Sequence, residues 1–176
     1  DFGKKADSFK LKSIKNELIS LNDVRGEKAT LIMFICNHCP YVKAIIEDLV
    51  KDCNDLKKDG INSVAIMSND PENYPEDSFE NMVSFAKSNN FGELNYLIDE
   101  TQEIAKKFGA VCTPDFFGYN KALELQYRGR FKELKDLKPV NKDDSDLKLA
   151  MKKIASSQIG PSKQVSSMGC SIKWFN

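Results

Sequence analysis

The chain has a single histidine, and it carries no excess charge. That histidine is His38, and there is no second Cys-x-x-Cys, so sequence neighbours supply no closed four-ligand zinc site. Lysine plus arginine and aspartate plus glutamate both number 26. That balance leaves no basic field for nucleic acid and no acidic field for a basic partner. No apolar run approaches the roughly 20 residues that cross a bilayer, so no membrane span is expected. The five cysteines are too few and too irregular for a disulfide scaffold in a chain of 176 residues, which leaves a catalytic or metal role for any close pair. The chain opens on Asp1-Phe2-Gly3-Lys4-Lys5 with no signal-peptide core. That favours a cytoplasmic protein, or a periplasmic or secreted one if a leader has been removed. At 41% hydrophobic and 30% charged residues, the composition suits one domain, residues 1–176, with a sizeable core.

What the chain does have is one reactive stretch, Ile35-Cys36-Asn37-His38-Cys39-Pro40. The run before it, Ala29-Thr30-Leu31-Ile32-Met33-Phe34-Ile35, reads as a fully buried central strand. From Tyr41 onward, Ile45, Ile46, Leu49, Val50, Cys53 and Leu56 form the apolar stripe of one helix that Gly60 ends. Such a junction predicts Cys36 at a helix N-terminus, where free N–H groups and the dipole stabilise a thiolate. Two intervening residues let a second thiol displace a mixed disulfide. Cys36 is therefore expected to attack and Cys39 to resolve, with protonated His38 lowering the Cys36 pKa further. Pro40 is tolerated in the first helical turn, where its missing N–H is largely free anyway.

Elsewhere the pattern alternates strands and helices. Phe9-Lys10-Leu11 and Leu18-Ile19-Ser20-Leu21 read as a β-hairpin around Lys15-Asn16, and Asp23 to Lys28 as a polar turn. Ile61 to Met67 is a second apolar strand, parallel to the first across the intervening helix. Tyr74-Pro75-Glu76-Asp77-Ser78 opens a helix with Phe79, Met82, Val83 and Ala86 on one face, ended by Asn89-Asn90. Leu94 to Ile98 is a short strand, and Asp99 with Gln102 suggests a capping box for a helix burying Ile104, Ala105 and Phe108. Runs at Pro114–Tyr119 and Ala122–Tyr127 make an antiparallel hairpin around Asn120-Lys121. Asp136 to Asp146 reads as an exposed loop before a last helix burying Leu147, Ala150, Met151 and Ile154. The Ser, Gly and Pro-rich tail ends in Met168-Gly169-Cys170-Ser171-Ile172-Lys173-Trp174, too apolar for a free terminus and expected to dock.

This order is that of an α/β protein with a thioredoxin fold, a mixed central sheet flanked by helices, with an N-terminal hairpin extension and a docked tail. The chain resembles the thioredoxin superfamily at Cys36-Asn37-His38-Cys39 and at Thr113-Pro114. Its N-terminal hairpin, Cys-Asn-His-Cys-Pro-Tyr-Val, Tyr-Pro-Glu-Asp-Ser, Cys-Thr-Pro-Asp-Phe-Phe, Tyr-Arg-Gly-Arg-Phe and Gly-Cys-Ser-Ile-Lys-Trp resemble the peroxiredoxin-like branch of alkyl hydroperoxide reductase and thiol-specific antioxidant proteins. The resemblance runs from about Asp7 to Trp174. It implies a redox pair at Cys36 and Cys39 facing a cis Thr113–Pro114 bond that holds the substrate segment. It also implies disulfide or thiol substrates, protein or small-molecule, a reducing or oxidising partner, and no cofactor.

Three functions follow from these residues: a thiol–disulfide oxidoreductase, a thiol peroxidase, and a metal-binding module built on Cys36, His38 and Cys39. The peroxiredoxin pattern Pro-x-x-x-Thr-x-x-Cys is not kept: aligned on Cys39 it meets Cys36 and Ile32, and aligned on Cys36 it meets Met33 and Ala29. The expectation is therefore the oxidoreductase, with no bound metal. Cys53 is read as a packing residue. Cys112, beside Thr113, is either a small buried residue or part of the site. Cys170 is either an anchor of the tail or a distant resolving thiol. Arg128 and Arg130 are either solvated charges or the arginine that peroxide-reducing relatives place beside their thiolate.

Overall fold

The computed structural model describes residues 1–176. A hairpin of β1 (Lys10–Ser13) and β2 (Leu18–Ser20) turns through Asn16 at φ 61° and leads into a single helical turn, α1 (Leu21–Val24). Ser20 and Asp23 cap that turn reciprocally, so the polar stretch expected to be a plain turn is in part helical. The buried run forms β3 (Ala29–Phe34), followed by α2 (Pro40–Lys43), α3 (Ile46–Lys57) and β4 (Ile61–Met67). A 3-10 turn at Pro75–Asp77 precedes α4 (Phe79–Ser88), then β5 (Asn95–Ile98), α5 (Glu103–Phe108) and β6 (Cys112–Thr113). The chain continues through β7 (Asp115–Asn120), β8 (Leu125–Gly129), β9 (Leu134–Lys135), β10 (Lys138–Pro139), α6 (Asp146–Ser157) and β11 (Cys170–Ser171).

Seven strands make one mixed sheet in the order β2-β1-β5-β4-β3-β7-β8. β3 pairs parallel with β4 and antiparallel with β7, and β4 pairs parallel with β5. β3 is buried on both faces, which is why its sequence runs apolar without alternation. Its side chains still alternate between two cores. Leu31, Met33 and Ile35 point toward α3, α4 and α6, whereas Ile32 and Phe34 point toward α1 and α5. Phe34, Phe108 and Phe117 pack edge to face or tilted in the second core, with ring centroids 5.7–6.0 Å apart. No helix is long and apolar enough to cross a membrane.

Four expectations need correction. The helix after Pro40 is two pieces. Ile45, at φ −117°, is the N-cap of α3, which carries the buried stripe Ile46 to Leu56, while Pro40–Lys43 is a separate turn. Val83 is 40% exposed, and α4 buries only Met82 and Ala86 fully. Asp99 does cap α5, accepting from the backbone N–H of Ile104 and Ala105 at 3.3 and 2.9 Å, but Gln102 does not reciprocate. The Gln102 amide instead donates to the carbonyls of Ser68 and Lys173. The stretch expected as a loop, Asp136 to Asp146, begins with the turn of a β9–β10 hairpin, Asp136 and Leu137 at φ 52° and 62°, and contains β10.

The tail docks as expected. β11 pairs antiparallel with β6, Cys170 opposite Thr113 and Ser171 opposite Cys112, and Ile172 is buried in the second core. The docking is not uniform, since Met168 is 74% exposed.

Candidate active site

β3 delivers Ile35 to the C-terminal end of the central sheet, where the Ile35 N–H still donates to the Ile66 carbonyl at 3.0 Å. The chain then leaves the sheet, and Asn37 fixes its path. The Asn37 backbone N–H donates to Asp77 Oδ1 at 2.8 Å, its amide donates to the Glu76 carbonyl, and its Oδ1 accepts from the Tyr96 hydroxyl at 2.8 Å. Asp77 is fully buried and also accepts from the Asn69 amide at 2.9 Å. Asn37, Asp77, Tyr96 and Asn69 thus hold the loop of Cys36 and Cys39, and sequence reasoning gave none of them a role. The only signal was Tyr-Pro-Glu-Asp-Ser, which contains Asp77.

The two thiols converge on the residue before the cis Thr113–Pro114 bond. Cys36 Sγ lies 3.4 Å from Thr113 Oγ1, and Cys39 Sγ lies 3.2 Å from the Thr113 carbonyl. Both cysteines have no exposed surface and remain free thiols. A third sulfur joins them: Cys170 Sγ, on the tail, is 2.8 Å from Cys39 Sγ.

The electrostatics differ from expectation in two ways. The helix that follows the pair has Cys39, not Cys36, as its N-cap, with Pro40 at its first position. Cys39, rather than Cys36, therefore lies nearest the N–H groups of the helix end, although its side chain makes no cap hydrogen bond. Its thiol is held below the ordinary value by hydrogen bonding from Cys36 first, then by the Cys170 thiol and the backbone N–H groups of Val42 and Cys170, against the cost of burial. The neighbouring Thr113 carbonyl opposes that charge. Cys36 is pushed up, first because it donates to Cys39, then by burial and by the negative charge of Asp77. The second difference concerns His38. Its Nδ1 lies 2.7 Å from Asp77 Oδ2 and its ring stacks parallel to Tyr74, so the imidazole faces the carboxylate. What lowers Cys36 at this residue is the His38 backbone N–H.

The remaining candidates separate. Cys53 is buried on α3, and burial pushes its thiol up to about 12, in keeping with a packing residue. Cys112 alternates away from Thr113 on β6, its sulfur 3.5 Å from the Pro114 carbonyl, and burial followed by the Asp115 charge pushes it up to about 12. Arg128 binds the buried Asp115 at 3.0 Å and the Gly109 carbonyl at 2.9 Å, and covers the Phe117 ring. Arg130 binds Asp146 at 2.6 Å. Neither arginine hydrogen-bonds a cysteine. Among possible metal ligands, Cys36, His38 and Asp77 bring one ligand atom each within 4.8 Å of one another, a set that replaces Cys39 of the sequence-based triad with a carboxylate. Asp77 is already engaged by Asn37, Asn69 and His38, so a cation there would have to displace those contacts.

Residues 2–132 match the AhpC/TSA family. The chain belongs to this family. It is similar to an uncharacterized conserved protein from Geobacillus kaustophilus, with 41% identity over 99% of this chain and 93% of that chain and a TM-score of 0.94. It is also similar to a hypothetical protein from Sinorhizobium meliloti 1021, with 36% identity over 99% of this chain and 95% of that one and a TM-score of 0.91. The thioredoxin domain of a thiol-disulfide oxidoreductase from Bacteroides vulgatus shares the fold, with a TM-score of 0.61 at 18% identity over 73% of this chain and 87% of that one. A comparison with curated proteins finds no match. The fold is a thioredoxin fold, and the family and fold together indicate a redox protein of the thioredoxin type.

Proposed function

We propose that the protein is a thiol–disulfide oxidoreductase whose two-electron couple is Cys36 and Cys39. The observation that carries this reading is the convergence of both sulfurs on Thr113, directly before the cis bond, at 3.4 and 3.2 Å. In the reduced pair one proton is shared, with the negative charge favoured on Cys39 and the proton on Cys36. Cys36 attacks one sulfur of a substrate disulfide and passes its proton to Cys39, so that Cys36 joins that sulfur and the other substrate sulfur leaves as a thiolate. That thiolate takes the proton back from Cys39. Cys39, again a thiolate, then attacks Cys36 Sγ, closing the Cys36–Cys39 disulfide and expelling the second substrate thiolate. Thr113 and Pro114 would hold the substrate segment, and His38 with Asp77 would position the loop that carries Cys36. The substrates would be protein or small-molecule disulfides, with an external thiol closing the cycle.

The test is trapping. Cys39→Ser should accumulate a stable mixed disulfide through Cys36 when mixed with a chromogenic disulfide, while Cys36→Ser should lose at least about a hundredfold in turnover. A mixed disulfide that forms readily through Cys39 in Cys36→Ser would reverse the order of attack. Two variants that both retain turnover would remove the reading altogether.

A further inference from the structure

The tail lies across the site rather than beside it. Ser167 Oγ donates to the Pro114 carbonyl at 2.6 Å, β11 pairs with β6, and the Ile172 N–H donates to the Val111 carbonyl at 3.0 Å. Lys173 is gripped from three sides: its N–H donates to Asn69 Oδ1, and its carbonyl accepts from the Asp70 N–H and the Gln102 amide. Gly169 is obligatory at its position, because a Cβ there would sit 2.1 Å from the Thr113 carbonyl. This close seating sets the Cys170 sulfur 2.8 Å from Cys39 Sγ, although the two residues are separated by 131 positions. Of the three thiols that meet, Cys36 and Cys39 have no exposed surface, and only Cys170 reaches solvent.

We infer that Cys170 is a third redox thiol of this site: it takes the disulfide from the Cys36–Cys39 pair and presents it, as Cys39–Cys170, to an external thiol reductant. The inference rests on the oxidoreductase reading. In the exchange, the Cys170 sulfur attacks Cys39 Sγ, the Cys39–Cys170 bond forms, and the Cys36–Cys39 bond breaks. The proton of Cys170 passes to the departing Cys36, and no net oxidation occurs. An external thiolate then attacks the solvent-facing Cys170 Sγ and expels Cys39 as a thiolate, and a second external thiol clears Cys170, leaving three reduced cysteines and one external disulfide. The direction of the second step follows from exposure. Cys39 has no exposed surface and Cys170 is the sulfur that reaches solvent, so the external thiolate meets Cys170 and Cys39 is the sulfur that departs. While the Cys39–Cys170 bond lasts, the tail is fastened over Thr113.

The test maps disulfides by acid quench, alkylation and mass spectrometry after one equivalent of diamide. Cys39–Cys170 should be found in the wild type and should form almost completely in Cys36→Ser. In Cys170→Ser only Cys36–Cys39 should form, and its reduction by glutathione should slow by about tenfold. Hydrogen exchange of residues 165–173 should be slower in the oxidised wild type than in oxidised Cys170→Ser. If Cys170 is fully alkylated in oxidised wild type and in Cys36→Ser while Cys36–Cys39 forms in Cys170→Ser, the relay is overturned and the oxidoreductase reading stands. If no Cys36–Cys39 bond forms in any sample, that reading falls as well.

Discussion

Asp77 shows how one side chain can hold the Cys36–Cys39 loop in place without touching a sulfur. It is fully buried, and it accepts from the Asn37 N–H and the Asn69 amide while facing His38 Nδ1. Removing it orphans a buried backbone donor, which costs ~1–3 kcal/mol, and releases the amide as well. Asp77→Ala should therefore lower stability by about 3 kcal/mol in urea denaturation of the reduced protein. Asp77→Asn keeps the shape and removes the charge that raises Cys36. In that variant Cys36 should ionise at lower pH, seen as an alkylation profile displaced toward acid, because an anion close to a thiol disfavours its ionised form. An unmoved profile would mean that the Asp77 charge does not reach the sulfur. At this scale the sequence was half legible. The Cys-x-x-Cys pair and Thr113-Pro114 can be picked out from the sequence, whereas Asp77 lies 40 residues from Asn37, and only the folded loop joins them.

Elements were more legible than residues, and where they failed a tertiary contact had overridden a local pattern. The stripe Ile45 to Leu56 is buried as its spacing requires, but the chain must turn from the Cys39 cap onto the face of β3, and the bend at Ile45 accomplishes this. Gln102 sits where a capping box would use it, yet its amide is taken by the Ser68 carbonyl just after β4 and by Lys173 of the docked tail. The tail itself was legible as apolar but not in register. That register hangs on Gly169, where a Cβ would meet the Thr113 carbonyl at 2.1 Å, a rigid backbone atom. Gly169→Ala should lift β11 from β6 at a cost of ~1–3 kcal/mol, the usual range for overpacking. Native-state alkylation of Cys39 should then speed up by at least about tenfold, since undocking must precede access to a thiol with no exposed surface. An unchanged rate would place the entry route elsewhere than under the tail.

Across the whole molecule, the mixed sheet was readable because chain order dictates which strands can pair, whereas its division into two cores, between which β3, β4 and β7 alternate, emerges only from the assembled layers. The arginines could be placed only with the layers assembled. Arg128 leaves β8, the sheet's edge strand, and ties it to Asp115 on β7 and to Gly109 at the end of α5, while Arg130, one residue past the strand, binds Asp146 at the start of α6. Each is a strut between layers, and neither hydrogen-bonds a sulfur. A peroxidase needs donors arranged to stabilise the leaving oxygen, so the two functions predict opposite results for the same substitution. Arg128→Met should leave Asp115, whose side chain is 3% exposed, buried without its cation, and stability should fall by about 3 kcal/mol, near the low end for breaking one side of a buried pair. Burial already raises the Asp115 pKa against the opposing effect of Arg128, so the loss should deepen as pH rises and the carboxylate must ionise without its partner. The rate constant for hydrogen peroxide with the reduced protein, followed by stopped-flow, should change less than about threefold in Arg128→Met and in Arg130→Met at temperatures where both remain folded, and it should stay far below the rate with a small disulfide. A peroxide rate that collapses in either folded variant would place that arginine at the reacting thiolate and make the peroxidase the better account of the site.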